Sequence, residues 1–224
     1  MIKILLVDDH PLVREWLTNL LNQQPDFRVC GETGHAPQAL QLIASASPDI
    51  VIVDLMLASG SGLELIKNLK LSHPRVAVLV LSMHDELLYA ERALRAGAGG
   101  YIMKSEATQK VIQAIRTVLE GKIYVSPGVA ALFTQKLVRG RTDDPTLAVE
   151  QLSDRELEVF QLLGRGYSTR QISEHLHVGF KTVQSYYARI KEKLNLANIS
   201  ELMREAIRWQ ESQNGSPPVA GPKS

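Results

Sequence analysis

Cysteine is almost missing from this chain: Cys30 is the only one in 224 residues. A single thiol excludes an internal disulfide and fits a reducing compartment. Its place in the apolar run Phe27–Cys30 suits a small packed hydrophobe better than a redox centre. Net charge is nearly absent as well, with 25 Lys+Arg against 24 Asp+Glu. A whole-chain basic footprint for nucleic acid is thereby excluded, and any such footprint must be local. No window approaches 18 consecutive apolar residues, so no membrane span is expected. The mostly apolar Ile2–Val7 ahead of Asp8 is too short for a signal-peptide core. Internal repeats are lacking. These absences point to a soluble, cytoplasmic protein. What is present, 45% hydrophobic and 22% charged residues, is an ordinary globular balance, and the length favours two domains.

Residues 1–125 alternate short apolar runs with amphipathic stretches. Ile2–Val7, Arg28–Glu32, Ile50–Val53, Val76–Leu81 and Gly100–Met103 read as strands, bounded by Asp, Pro, Gly or Ser. Pro11–Asn22, Ala36–Ser45, Gly62–Leu71, Glu86–Ala96 and Ala107–Glu120 read as helices between them. Near-continuous apolar strands alternating with helices predict a parallel sheet covered on both faces, and right-handed crossovers make it a doubly wound α/β domain. Residues 126–150 read as a linker with one possible helix over Val129–Val138. Residues 151–211 read as a second domain, in which 151–209 carry no strand signal and read as four helices. Two of these open on capping boxes, Ser153-x-x-Glu156 and Ser168-x-x-Gln171. The tail, 212–224, has little to bury and is expected to be disordered. Positive charge is concentrated in Gly179–Leu194, where Lys181, Arg189, Lys191 and Lys193 face only Glu192.

In an open parallel sheet, ligands bind beyond the carboxyl ends of the strands where strand order reverses. With order 2-1-3-4-5, Asp8 and Asp9 after the first strand and Asp54 after the third converge at that point. Ser82 closes the fourth strand and Lys104 follows the fifth. A lone Asp after a strand is usually a solvated loop residue or a helix cap; Asp54 is set apart by this company. Three close carboxylates raise one another's pKa unless a cation compensates. A hard ion such as Mg2+ (or Mn2+) suits them, because it takes few protein carboxylates and completes its shell with water and phosphate oxygens. A carboxylate beside that ion can attack phosphorus, while the metal and the Lys104 ammonium neutralise charge.

The segments Leu6-Val7-Asp8-Asp9-His10-Pro11-Leu12-Val13-Arg14, Val53-Asp54-Leu55, Gly62-Leu63-Glu64, Leu81-Ser82 and Gly97-Ala98-x-Gly100-Tyr101-x-x-Lys104 occur in order and at matching spacing. Together they resemble the receiver domain of two-component response regulators. Residues 153–209 resemble a LuxR-type helix-turn-helix through Leu152-Ser153-x-Arg155-Glu156-x-Glu158-Val159, Gly166, Ile172-Ser173-x-x-Leu176, Thr182-Val183 and Lys193-Leu194. The whole chain is thus similar to the NarL/FixJ subfamily.

The resemblance implies that Asp54 accepts a phosphoryl group from a histidine kinase. It implies Asp8, Asp9, Asp54 and the Met56 backbone carbonyl as metal ligands, Lys104 as the phosphoryl partner, and Ser82 and Tyr101 as a switch pair. It also implies double-stranded DNA as a partner and a homodimer when active. Phe180, Val183, Tyr187, Ile190 and Leu194 recur at helical spacing as one apolar face. Gln184, Ser185 and Ala188 then become base-reading candidates, and Lys181, Thr182, Arg189 and Lys193 phosphate contacts. Gly166 and Gly179 suit tight turns between helices. The stripe Ile199, Leu202, Met203, Ala206, Ile207 reads mainly as core; Arg204, Glu205 and Arg208 are candidates for meeting a dimer partner.

Three departures stand out: Ala58 where the family commonly has proline, Gln184 where it often has lysine, and Tyr186 where it often has histidine. Competing readings are a receiver that only docks a partner without phosphotransfer, an aspartate-nucleophile hydrolase, and a flavin carrier. The hydrolase usually wants a second acid two residues after the nucleophile, where Met56 stands. The flavin carrier wants a hydroxyl- and Gly-rich loop, where Asp-Asp-His-Pro stands.

Overall fold

A computed structural model describes residues 1–57, 60–139 and 149–213. The chain divides into two compact units, Met1–Gly140 and Arg141–Ser224.

The first unit is a five-stranded parallel sheet: β1 (Ile2–Val7), β2 (Phe27–Thr33), β3 (Ile50–Val53), β4 (Ala77–Ser82) and β5 (Gly100–Met103), in the order β2-β1-β3-β4-β5. Its helices are α1 (Pro11–Asn22), α2 (Ala36–Ala46), α3 (Gly62–Ser72), α4 (Glu86–Ala96), α5 (Ala107–Leu119) and α6 (Pro127–Arg139). Every residue of β3 is buried, as a central strand covered on both faces requires. Side chains alternate between faces. Ile4, Leu6, Ile50, Ile52, Leu79 and Leu81 pack with Leu17 and Leu21 of α1 and with Val111, Ile115 and Val118 of α5. Leu5, Val7, Val51, Val53, Val78 and Val80 are buried on the opposite face.

In-register pairing of Val7 with Val53 brings the ends of β1 and β3 level, and Val53 pairs with Val80, so that β4 runs two residues further, to Ser82. That alignment sets Asp8, Asp54 and the β4 terminus side by side. After α5 the chain returns to edge strand β5, where the Tyr101 N–H donates to the Tyr124 carbonyl at 2.8 Å. The helix expected inside the linker is α6, and it packs against α4. Ser126, which accepts from the Val129 N–H, donates its hydroxyl to Glu86 Oε1 at 2.5 Å.

The second unit is helical: α7 (Asp154–Gly164), α8 (Thr169–His175), α9 (Phe180–Lys193) and α10 (Ile199–Gln213). Both capping boxes form, each serine oxygen accepting from the helix interior and each partner side chain accepting from the serine N–H. A Cβ on Gly164 would lie 2.4 Å from the Ala206 carbonyl oxygen, so α7 and α10 meet where α7 has no side chain.

Several expectations are corrected here. Val183, Tyr187 and Ile190 face the core, but Phe180, at the first position of α9, is 50% exposed. Leu202 and Ala206 are fully buried on α10 and Trp209 packs against Phe160 of α7, whereas Ile199, Met203 and Ile207 form an exposed apolar line. Gly166 uses the left-handed region its turn requires, at φ 85°. Gly179 does not: it caps α9 at φ −67°, and the left-handed residue of that turn is His177. Cys30 is half-buried on edge strand β2. α10 reaches Gln213, two residues into the expected tail. Ala58 and Ser59, the part of the expected linker from Gly140 to Ala148, and the tail from Asn214 onward lie outside the described residues.

Candidate functional site

Backbone ladders extend past the strands to place the first acids: the Asp8 N–H donates to the Thr33 carbonyl at 3.0 Å and the Asp54 N–H to the Val7 carbonyl at 2.8 Å. Arg14, in the first turn of α1, reaches back so that its guanidinium donates to the Asp8 carbonyl at 2.6 Å. On the other side of Asp54, Gly62 presses its backbone against the strand end. A Cβ there would lie 2.1 Å from the Asp54 carbonyl oxygen, so only glycine fits.

Within this frame Asp8, Asp54 and Lys104 converge. The Lys104 ammonium lies 2.6 Å from Asp8 Oδ2 and 2.6 Å from Asp54 Oδ2. Both carboxylates are almost wholly buried, at 3% and 4% exposure. Burial raises the Asp54 carboxyl and Asp8 raises it further, while Lys104 opposes both. Burial works to lower the Lys104 ammonium, but the two carboxylates outweigh it and the net direction is upward. The lysine charge is therefore fixed, and it keeps an ionised Asp54 tolerable in a poorly solvated place.

Asp9 joins them: one ligand atom from each of Asp8, Asp9, His10 and Asp54 lies within 4.8 Å of all the others. Asp9 Oδ1 is shut off from solvent and accepts no hydrogen bond of acceptable geometry, although His10 Nδ1 is 2.6 Å away. An oxygen-rich donor set with a buried, unsatisfied carboxylate oxygen fits a divalent cation. Met56 follows two residues after Asp54, its N–H 3.4 Å from Asp54 Oδ1.

Ser82 is fully buried at the end of β4, and its hydroxyl accepts from the His84 N–H at 3.3 Å. Tyr101 is turned inward, 1% exposed, with its hydroxyl donating to the His84 carbonyl at 2.8 Å. Burial raises the phenol far above its ordinary value, so it remains a donor. Sequence reasoning gave no role to His10, Arg14 or the backbone approach of Gly62. The signals were present as an imidazole beside paired acids, a cation six residues after Asp8, and a glycine at a helix start.

In the second unit, Lys181, Thr182, Gln184, Ser185, Ala188 and Arg189 are all exposed on one side of α9, away from the core positions Val183, Tyr187 and Ile190. The Ser185 hydroxyl donates back to the Lys181 carbonyl at 3.0 Å. Lys193 is placed differently. Its ammonium lies 2.6 Å from the buried Glu156 carboxylate and 3.2 Å from the Gln151 carbonyl, so it is drawn to the start of α7 rather than offered with the others.

A doubly wound domain with acids and a lysine at its switch point, followed by a helical unit with one polar exposed helix, defines a receiver joined to a helix-turn-helix. Residues 4–116 match the response regulator receiver domain, and residues 150–206 match the bacterial regulatory proteins of the luxR family. The chain is 34% identical over 210 residues to the oxygen regulatory protein NreC of Staphylococcus carnosus, covering 92% of this chain and 97% of that one. It is 31% identical over 220 residues to the transcriptional regulatory protein DegU of Brevibacillus brevis, covering 92% and 93%. RcsB of Salmonella enterica serovar Typhimurium, solved bound to a promoter with the phosphomimetic BeF3-, shares the fold. Its TM-score is 0.67 over 92% of this chain and 98% of that one, at 23% identity.

This protein belongs to the response-regulator family, in the branch that couples a receiver to a LuxR-type DNA-binding domain. Its relatives are transcriptional regulators of two-component systems, not turnover enzymes. Among the described residues no helix is long and apolar enough to cross a membrane.

Proposed function

We propose that Asp54 is the phosphoacceptor and that its phosphorylation controls DNA binding by α9. The observation that carries this reading is the convergence of Asp54, Asp8 and Lys104, buried together at the point where strand order reverses. An Asp54 oxygen attacks phosphorus, the P–N bond of a sensor kinase's phosphohistidine breaks, and the departing imidazole nitrogen takes a proton from solvent. Mg2+ (or Mn2+), held by Asp8, Asp9, Asp54 and the Met56 carbonyl, would supply charge neutralisation to the transferring group. Lys104 exchanges its contact with Asp54 for one with a phosphoryl oxygen. Ser82, one strand over, donates to another, drawing the loop that carries His84, and Tyr101 holds the His84 carbonyl through that movement.

The output reads DNA through α9, with Gln184, Ser185 and Ala188 toward base edges and Lys181, Thr182 and Arg189 toward phosphates. Lys193, paired with Glu156, positions the helix. The exposed line Ile199, Met203 and Ile207 on α10 supports a homodimer, with Arg204 exposed beside it and Glu205 paired with Arg208. In this reading the receiver spans 1–125, 126–150 joins it to the DNA-binding domain at 151–211, the tail is 212–224, and the protein works in the cytoplasm.

The test is phosphate incorporation from acetyl phosphate or phosphoramidate with Mg2+. Labelling confined to Asp54 is the expected result. An unlabelled chain beside a control receiver that labels would end the proposal.

A further inference from the structure

We propose that His10 is a ligand of the cation pocket and tilts its preference toward borderline divalent ions such as Co2+ and Ni2+. This rests on the reading of that pocket as a metal site. His10 is the N-cap residue of α1, yet its side chain makes no capping hydrogen bond. Pro11 follows and restricts His10 to extended backbone, observed at φ −90° and ψ 108°. In that conformation the ring is directed at the carboxylates. Nδ1 lies 2.6 Å from Asp9 Oδ1 and 3.3 Å from Asp8 Oδ1. Asp8 Oδ1 also accepts the His10 N–H at 2.9 Å, which pins the residue to the acidic turn.

Small side-chain adjustments would bring these donors around one ion: the 2.6 Å between His10 Nδ1 and Asp9 Oδ1 is tighter than adjacent ligands stand, and the 4.8 Å that bounds the set is wider than opposite ones do. Donors about 2.1 Å from an octahedral centre stand about 3 Å apart when adjacent and about 4.2 Å when opposite. The four donor atoms of Asp8, Asp9, His10 and Asp54 fall within 4.8 Å of each other. The imidazole Nδ1 is hydrogen-bonded to Asp8 Oδ1 at 3.3 Å, but that bond does not account for its closer approach to Asp9. The shortest approach, to Asp9 Oδ1, lacks hydrogen-bond alignment and leaves that buried oxygen unsatisfied. The imidazole is also 61% exposed, standing at the mouth of the pocket, where it can meet an ion while its other nitrogen stays in water. Lys104 uses the opposite oxygens, Oδ2 of Asp8 and Oδ2 of Asp54, and does not compete for this corner.

The chemical consequence is selective. Imidazole nitrogen adds affinity for the later first-row ions and little for Mg2+, whose shell is oxygen. The experiment is calorimetric titration of the full chain with Mg2+, Co2+ and Ni2+, comparing the unmodified protein with His10→Ala and His10→Asn, each checked for an unchanged thermal transition. The expected result is a loss of Co2+ and Ni2+ affinity of roughly tenfold or more in both variants, with Mg2+ affinity held within about twofold. Equal loss of all three ions would make His10 a prop for Asp8 and Asp9 and overturn the inference. No loss of any would overturn it too. If the unmodified chain bound none of the ions, the pocket itself would be misread, a failure of the underlying proposal that these outcomes keep distinct.

Discussion

The receiver pocket and the exposed face of α9 are made in opposite ways. The pocket draws Asp8, Asp54 and Lys104 from the ends of three strands, buries the two carboxylates, and shares one lysine between them. The α9 face takes Lys181, Thr182, Gln184, Ser185, Ala188 and Arg189 from a single stretch of helix and leaves them in solvent. A pocket of buried charges is worth something only when complete, since removing one member strands the others in a low-dielectric place. A solvated face degrades one contact at a time. Changes in the receiver should therefore act as all-or-none defects, and changes on α9 as graded ones.

The largest effect that would sharpen this contrast is Asp54→Asn. Asparagine keeps the shape but is no nucleophile, so phosphate incorporation from acetyl phosphate should fall to background, read by mass spectrometry of the intact protein. DNA affinity of the unphosphorylated chain should stay unchanged; a loss there would break the separation of the two regions. Next is Gly62→Ala, which forces a methyl group onto the Asp54 carbonyl. A cost of about 1–3 kcal/mol is expected for overpacking, seen as a lowered urea midpoint for the first unit with the second unit's transition unmoved.

On α9, Gln184→Ala should cost about 1–3 kcal/mol on a preferred sequence and relax preference at one base position. Lys181→Ala should instead weaken all sequences alike and reduce the salt slope by about 1. Titrations across a base-substituted panel at two ionic strengths separate these outcomes.

The smallest effect concerns Lys193 and Glu156. Burial raises the Glu156 carboxyl, but its bonds to Lys193 and to Ser153 outweigh this and leave it below the usual range. A carboxyl lowered by folding contributes stability that is present above the unfolded value, about 4.3, and is lost as pH falls through the lower folded value. The second unit should accordingly weaken below about pH 4.3. Lys193→Ala should lower its melting temperature at neutral pH by an amount worth about 1 kcal/mol, discounted for partial exposure. A variant with unchanged melting and a reduced salt slope on DNA would return Lys193 to the phosphate-contacting set.

Much of this molecule was legible before any coordinates. Burial on both faces makes β3 uniformly apolar, and the carboxyl-end rule singles out the acids that follow such strands. The capping boxes were readable because their partners are three residues apart. What escaped notice depends on which surface finds a neighbour. Phe180, Ile199, Met203 and Ile207 have the right helical spacing for a core, but among the described residues they stay exposed. Lys193 belongs by sequence to the basic cluster, yet a buried glutamate at the start of α7 draws it away. Gly179 looked like the special turn residue, while His177 took the left-handed conformation.

The sequence alone determined the alternation of strand and helix, the helical second unit, and the residue types able to handle phosphorus and DNA. These follow from local periodicity, capping and the chemistry of single side chains. Only the tertiary structure decided that Lys104 sits between Asp8 and Asp54, that His10 points into the acidic corner, and that α6 is fastened to α4 through Ser126 and Glu86. Those relations join residues distant in the chain, and their energies come from burial and mutual charge, which exist only once the strands are aligned and water has been displaced from between them.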